Sequence, residues 1–199
     1  VGGLGYLQYG YQLHTDSTLK PTGGHQNNFD VTRAYINVIG KLSNGVTARI
    51  TTDIASRNAT LSQLYIRLKY AYVAWTPENS RLTYKIGEIH TPWLDWEEAM
   101  WDYRMQGPTA VDRNGLLTSS DFGAGIDGSW HFDDLNAQVG VYDGEGYSNA
   151  PGDNGKDVEG RLSVRILKTD LGSKTSRIRL KGYAPDGKES GRGRRHRLR

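Results

Sequence analysis

The chain has no cysteine, only two methionines among 199 residues, and no long apolar run. Lack of cysteine excludes a disulfide scaffold and a thiolate metal site. No stretch approaches the roughly 18 consecutive apolar residues of a membrane-spanning helix, so the chain does not cross a bilayer as a helix. A secretory leader is also missing, because the chain opens directly on a strand pattern. We therefore expect a mature, trimmed or partial chain.

Recognised motifs of catalysis and cofactor binding are missing as well. The sequence has no phosphate-cradling glycine motif, no nucleophile elbow and no metal-binding histidine pair. The acidic loop that begins at Asp143 lacks the spacing of a defined calcium loop. We predict no cofactor and no metal site.

Glycine and aromatic residues are abundant instead. There are 25 glycines and 12 tyrosines, and aromatic residues make up 10% of the chain against a hydrophobic fraction of 36%. This balance suits many strands and turns better than a helical core.

Period-two alternation of apolar and polar residues recurs along the chain and predicts about nine strands. A representative segment sets Ile36 and Val38 against Arg33 and Asn37. The predicted strands lie at about 4–14, 29–42, 46–53, 64–72, 82–87, 121–132, 135–142, 161–166 and 177–181.

The connections between these strands alternate between long and short. Ser43-Asn44-Gly45 is a tight hairpin turn, because Asn-Gly supplies the positive φ angles that such turns require. The other connections read as short are Thr76–Ser80, Asp133-Asp134 and the stretch 168–176. The long connections are 15–28, 55–61, 91–117 and 143–157. Antiparallel strands that run between a face of tight turns and a face of extended loops give this pattern.

We therefore predict an all-β, antiparallel transmembrane β-barrel in a single partial domain that spans 1–199. Strands of about ten residues fit a tilted bilayer-spanning wall, whereas sandwich strands are usually about 5–6 residues long. Trp130, Phe132, Tyr70 and Tyr72 stand where an interfacial aromatic girdle is expected. Nine strands are too few for a closed barrel of even strand number, so we expect about half of a larger barrel.

Basic residues fall on the face opposite the apolar one. In a closed wall they point into the lumen, where a net positive lining concentrates anions. The candidate pore-lining and anion-binding residues are Arg33, Arg49, Arg67, Lys69, Lys85, Arg161, Arg165, Arg179 and Lys181, with Lys41 and Arg177 on the same face. Asp53, Asp121, Asp127 and Glu159 share that face but are fewer. The plainer interpretation is an ordinary solvated sheet face.

The segment 91–117 differs from the rest of the chain because it is both aromatic and acidic. We predict that it folds inward as a constriction loop whose carboxylates face the basic wall and whose tryptophans contact the wall or a solute. Its candidate residues are Trp93, Asp95, Trp96, Glu97, Glu98, Trp101, Asp102 and Arg104. A glycosidase pair at Glu97 and Glu98 is disfavoured, because such carboxylates flank a bond about 5–9 Å apart and adjacent residues rarely do. We predict that the protein is not an enzyme.

The end of the chain, 191–199, is rich in arginine and looks like a nucleic-acid-binding arm. It follows a strand and has no interleaved aromatic residues. A barrel loop that enters the next strand explains it better, so no nucleic-acid partner is predicted.

Four stretches resemble a known family. They are Phe29–Leu42, Lys85–Pro92, Ser119–Gly123 and Val141–Tyr147. These stretches are similar to the phosphate-selective porin O and P family of Gram-negative outer membranes. The resemblance implies a 16-stranded homotrimeric barrel in the bacterial outer membrane, passive uptake of small anions, and a ladder of arginines and lysines in the lumen. It places Arg49, Arg67, Lys69 and Lys85 on the wall opposite the loop. The four carboxylates and three tryptophans of the loop depart from a dedicated phosphate filter.

Three functions compete at this point. The first is an outer-membrane porin for small anions, with phosphate as the favoured solute. The second is a sugar-type or general diffusion porin that uses Trp93, Trp96 and Trp101 as stacking surfaces. The third is a soluble carbohydrate-binding β-sandwich.

Overall fold

A computed structural model describes residues 1–11, 27–55, 65–101, 103–131, 134–149, 154–171 and 174–186. Within these residues the strands are β1 (Gly2–Tyr11), β2 (Asn27–Lys41), β3 (Val46–Ala55), β4 (Tyr65–Trp75), β5 (Leu82–His90), β6 (Ser120–Trp130), β7 (Leu135–Tyr142), β8 (Asp157–Leu171) and β9 (Lys174–Asp186). Two short helices, α1 (Leu94–Met100) and α2 (Ala110–Arg113), and a 3-10 turn at Arg104–Gln106 separate β5 from β6.

The nine strands form one sheet in which spatial order follows chain order. The pairs β1–β2 and β4–β5 through β8–β9 are antiparallel. This confirms the predicted all-β antiparallel architecture. In the part of the chain that the structure describes, no helix combines the length and apolarity needed to cross a bilayer.

Two compact units can be distinguished, Val1–Val38 with Thr51–Leu68, and Ile39–Ile50 with Lys69–Arg199. In the first unit, polar side chains bond between strands. The Thr51 hydroxyl donates to Asn37 Oδ1 at 2.7 Å, and Arg67 Nη2 lies 2.9 Å from Asp53 Oδ2. Asp53 is fully buried.

In the second unit, the two sides of the strands differ sharply in chemistry. Aliphatic and aromatic side chains are exposed on one side, with Ile86 63% and Leu162 52% accessible. We call this the apolar face, defined by Ile50, Ile86, Phe122, Val139 and Leu162. The alternate positions carry buried or half-buried ionic side chains. We call that side the charged face, defined by Arg49, Lys69, Lys85 and Arg161.

The buried interior lies on the charged face, and most of it is polar. Lys69, Asp121, Arg161 and Ser163 are all buried there. The fully buried apolar side chains described are few and include Ile89, Leu94 and Tyr142. This arrangement is the reverse of a soluble sandwich, whose aliphatic side chains would pack beneath a second sheet.

Tight turns join the strands at one end, as predicted. Asn44 and Gly45 have φ angles of 56° and 76°, which confirms the Asn-Gly hairpin between β2 and β3. Beside the next turn, the exposed rings of Trp75 and Tyr84 lie 5.7 Å apart. This pair occupies an interfacial girdle position that the sequence analysis did not single out. Trp130 also adjoins a tight turn, and Phe132 lies outside the described residues.

The predicted place of Tyr70 and Tyr72 on the apolar face was wrong. Tyr70 is 4% exposed, and the Arg49 guanidinium carbon lies 4.7 Å from the centre of its ring. Lys69 and Tyr70 are both buried, whereas Val73 and Trp75 are exposed. The alternation therefore shifts by one residue within β4, and both tyrosines lie on the charged face.

The predicted connection between the last two strands was also too long. β8 continues to Leu171 and β9 begins at Lys174, with Lys168 paired to Arg177 and Thr169 to Ser176. Backbone hydrogen bonds between strands form whether or not the side chains are apolar. Apolar alternation therefore underestimates the length of a strand whose end carries hydrophilic side chains.

Gly87 is a position where backbone geometry requires glycine. Its φ is +121°, and a Cβ atom there would lie 2.3 Å from the Ala71 carbonyl oxygen. We expect Gly87→Ala to lower the free energy of unfolding by about 1–3 kcal/mol through backbone strain and this clash. Urea unfolding of the folded protein in detergent, followed by tryptophan fluorescence, measures the change.

Gly40→Ala is the matched control, because a Cβ at Gly40 has nothing within 4 Å. Equal unfolding free energies for the two variants would contradict the role assigned to Gly87.

Candidate functional site

The segment between β5 and β6 begins and ends at neighbouring points of the sheet. The Thr91 amide donates to the Ser119 carbonyl at 3.2 Å, and the Thr91 hydroxyl donates to the Thr118 carbonyl. Pro92 follows and cannot donate to a strand ladder, so β5 ends there. The helices α1 and α2 were not predicted from sequence.

α1 lies against the charged face and is anchored by Leu94, which is fully buried. Glu98 joins α1 to the sheet and to the rest of the segment. Its Oε2 lies 3.7 Å from Lys69 Nζ, and its Oε1 lies 2.6 Å from Arg104 Nη2. Arg104 also approaches Asp112 Oδ2 at 3.5 Å. One carboxylate therefore connects a buried lysine of β4 to the arginine that holds the 3-10 turn and α2.

The tryptophans of the segment have different environments. The Trp93 and Trp96 rings lie 6.4 Å apart, and the Arg161 guanidinium carbon lies 5.8 Å from the Trp96 ring centre. Trp96 therefore lies beside a basic residue of β8. Trp101 instead is 42% exposed and forms an edge-to-face pair with Tyr103.

A second group of side chains surrounds His90 at the end of β5. Arg49 Nη1 lies 3.2 Å from His90 Nε2, and the Tyr70 and His90 rings are 4.0 Å apart. A guanidinium has no acceptor, so Nε2 accepts this hydrogen bond and the imidazole is neutral with its proton on Nδ1. The Tyr72 and His90 rings meet edge to face with their centres 5.5 Å apart, and Lys85 Nζ lies 5.7 Å from the centre of the Tyr72 ring.

Sequence reasoning missed this group, which we call the His90 cluster (Arg49, Tyr70, Tyr72, Lys85 and His90). Tyr70 and Tyr72 were assigned to the opposite face, and His90 was one of five scattered histidines. The position of His90 directly before the aromatic and acidic segment was the signal that could have pointed to it.

Other basic residues of the charged face contact carboxylates or amides. Lys85 pairs with Asp127 across β5 and β6, and Arg165 Nη1 lies 3.0 Å from Asp134 Oδ1. The Arg161 guanidinium donates to Asn136 Oδ1. Asp121, another predicted acidic residue of this face, accepts backbone hydrogen bonds from Phe122 and Gly144.

Comparison with known proteins decides the family. The family model described as phosphate-selective porin O and P matches residues 4–171, which is most of the chain. The chain belongs to this family. No curated protein and no solved structure gave a match. The resemblance stated from sequence is therefore confirmed, and with it the expectation of an outer-membrane porin of Gram-negative bacteria. Proteins of this family form channels and are not an enzyme class.

The structure brings some of the predicted site residues of this porin together and leaves others apart. Lys69, Glu98 and Arg104 form one network, and Trp96 contacts Arg161. In the first unit, Arg33 Nη1 donates to the Tyr35 hydroxyl at 2.6 Å. Glu97 is half-buried in the first turn of α1. Asp102 lies outside the described residues, as do the side chains of Asp95, Arg179 and Lys181.

Glu98 provides the sharpest test of how the segment is held. Glu98→Gln removes the carboxylate shared by Lys69 and Arg104. A hydrogen bond to a charged group contributes about 1.5–3 kcal/mol, so local opening of the segment should become roughly tenfold more frequent. Limited trypsin digestion of the folded porin, followed at Arg104 and Arg113, measures this opening as a cleavage rate.

The control is Glu78→Gln, which removes an exposed carboxylate in the turn between β4 and β5. A cleavage rate at Arg104 that is the same in both variants would show that the Glu98 network does not hold the segment.

Proposed function

We propose that this porin is a water-filled channel for passive diffusion of small anions, and that the segment 91–117 narrows it. The observation that carries the proposal is the set of cations seated on aromatic rings at the charged face. Arg49 and Lys69 lie over Tyr70, and Arg161 lies over Trp96. The pore-lining roles of the basic residues predicted from sequence are part of the same proposal.

An aromatic partner orients a cation in a different way from a carboxylate. A ring face attracts the cation through its quadrupole and brings no opposing net charge. Arg49 on Tyr70 and Arg161 on Trp96 are oriented by such rings, and each brings a positive charge to the charged face. The whole chain carries a net charge of only +3, so anion preference depends on where these charges lie.

Phosphate is the favoured solute within this proposal. A guanidinium offers a planar fork of donors that matches phosphate oxygens, and two arginines along a path can transfer an anion without trapping it. The family description names phosphate selectivity. We also propose the homotrimer implied by the resemblance, which sedimentation of the purified porin would test.

A second candidate, sugar diffusion, rests on Trp101 and Tyr103. Both rings are exposed in the segment between β5 and β6, and exposed aromatic faces suit stacking with sugar rings. Maltodextrin block of the channel current that is lost in Trp101→Ala would favour this candidate.

The anion proposal is tested by the double substitution Arg49→Gln and Arg161→Gln. Reversal potentials in a tenfold KCl gradient across a planar bilayer give the ratio of chloride to potassium permeability. We expect a ratio above 1 for the unmodified porin and a severalfold decrease in the variant, because two cations are lost at the charged face. The change should shrink at high ionic strength, where charges are screened.

Lys41→Gln is the control, since Lys41 is exposed at the tight-turn end of β2 and its loss removes one charge away from the His90 cluster. A cation-selective channel, or a permeability ratio that the double substitution leaves unchanged, would overturn the proposal.

A further inference from the structure

A hollow interrupts the apolar face where β5, β6, β7 and β8 lie side by side. Its volume is about 610 Å³, which lies in the range of ligand pockets. The side chains of Leu82, Ile126, Trp130, Val139 and Leu162 border it. All five belong to the exposed side of their strands, and Gln138 and Arg161 also contribute to the lining.

Small residues at neighbouring positions create the hollow. Gly128 is paired with Ala137 across β6 and β7, and Gly160 is paired with Val139 across β7 and β8. A Cβ at Gly160 would find only the Gln138 carbonyl oxygen within 4 Å, at 3.9 Å. The missing side chain at Gly160 therefore leaves open space on the face of the sheet that meets lipid.

One end of the hollow lies at the tight-turn end of the strands. Trp130 is the last residue of β6, and its ring covers Gly128, where a Cβ would lie 2.2 Å from the ring. Tryptophan concentrates at the level of lipid headgroups.

We propose that this hollow is a binding site for one acyl chain of a phospholipid. The outer-membrane location of the family places the apolar face against lipid, so hydrocarbon is the occupant in contact with it. If a methylene takes about the 30 Å³ share of a liquid water molecule, a chain of about 14 carbons takes roughly 420 Å³, which fits. Tight turns of such barrels face the periplasm, which indicates the periplasmic leaflet.

Native mass spectrometry of the detergent-purified porin, titrated with phosphatidylethanolamine, tests the site. We expect one lipid per chain to bind before any others. Gly160→Leu fills the hollow from β8 and should weaken this first binding step at least tenfold. Ala137→Phe fills it from β7 and should also weaken the first binding step. Agreement between two substitutions on different strands shows that the loss of binding does not come from a folding defect in one of them.

Gly40→Leu is the matched control, because Gly40 is a strand glycine with nothing within 4 Å of its Cβ position, and it should leave binding unchanged. A phosphatidylethanolamine brominated in mid-chain should quench tryptophan fluorescence, with a component that disappears in Trp130→Phe. Binding that both filling variants leave intact would overturn the proposal. Disulfide cross-linking of Leu162→Cys between two copies would overturn it too, because a second chain would then occupy the hollow.

Discussion

The constraint behind this structure is that hydrocarbon offers no partner to a polar group. A strand in a bilayer must satisfy its backbone through neighbouring strands, and its side chains must divide by chemistry between the two faces. Exposed aliphatic residues such as Ile86 and Leu162 alternate here with half-buried or buried cations such as Lys85 and Arg161. The nine-stranded order, the tight turns and the polar interior all follow from that division.

A polar interior requires that its ions be held, and the charged face holds them in two ways. Carboxylates pair with Lys85, Arg165 and, through Glu98, Lys69. Aromatic rings support Arg49 and Arg161. Lys69 and Lys85 are held in both ways, because each also lies over a tyrosine ring. A ring brings no opposing net charge of its own. The net charge of the chain, +3, does not reveal how each of these cations is held.

Much of the fold could be predicted from sequence, because strands that face lipid and water must alternate and tight turns need particular residues. The Asn44-Gly45 hairpin and the order of the strands followed from these rules. The one-residue shift of the alternation within β4 could not be predicted. Tyrosine is found on either face of such a strand, so the sequence does not decide whether Lys69 or Tyr70 faces the charged side.

The site was harder to predict than the fold. Helices as short as α1 and α2 have little intrinsic stability and depend on tertiary contacts such as the burial of Leu94. The contact between His90 and Arg49 joins residues 41 positions apart, and no local pattern encodes it. Sequence could place Glu98 and Trp96 in one unusual segment, but their partners Lys69 and Arg161 required the structure.

Neighbouring residues of one strand face water and lipid in turn in this fold. Because the chain has no native cysteine, single cysteines at positions 49, 50, 161 and 162 can be probed without background. With the porin in native outer membranes, a membrane-impermeant thiol reagent should label Arg49→Cys and Arg161→Cys and should leave Ile50→Cys and Leu162→Cys unlabelled. Equal labelling within either pair, or labelling only at 50 and 162, would contradict the account.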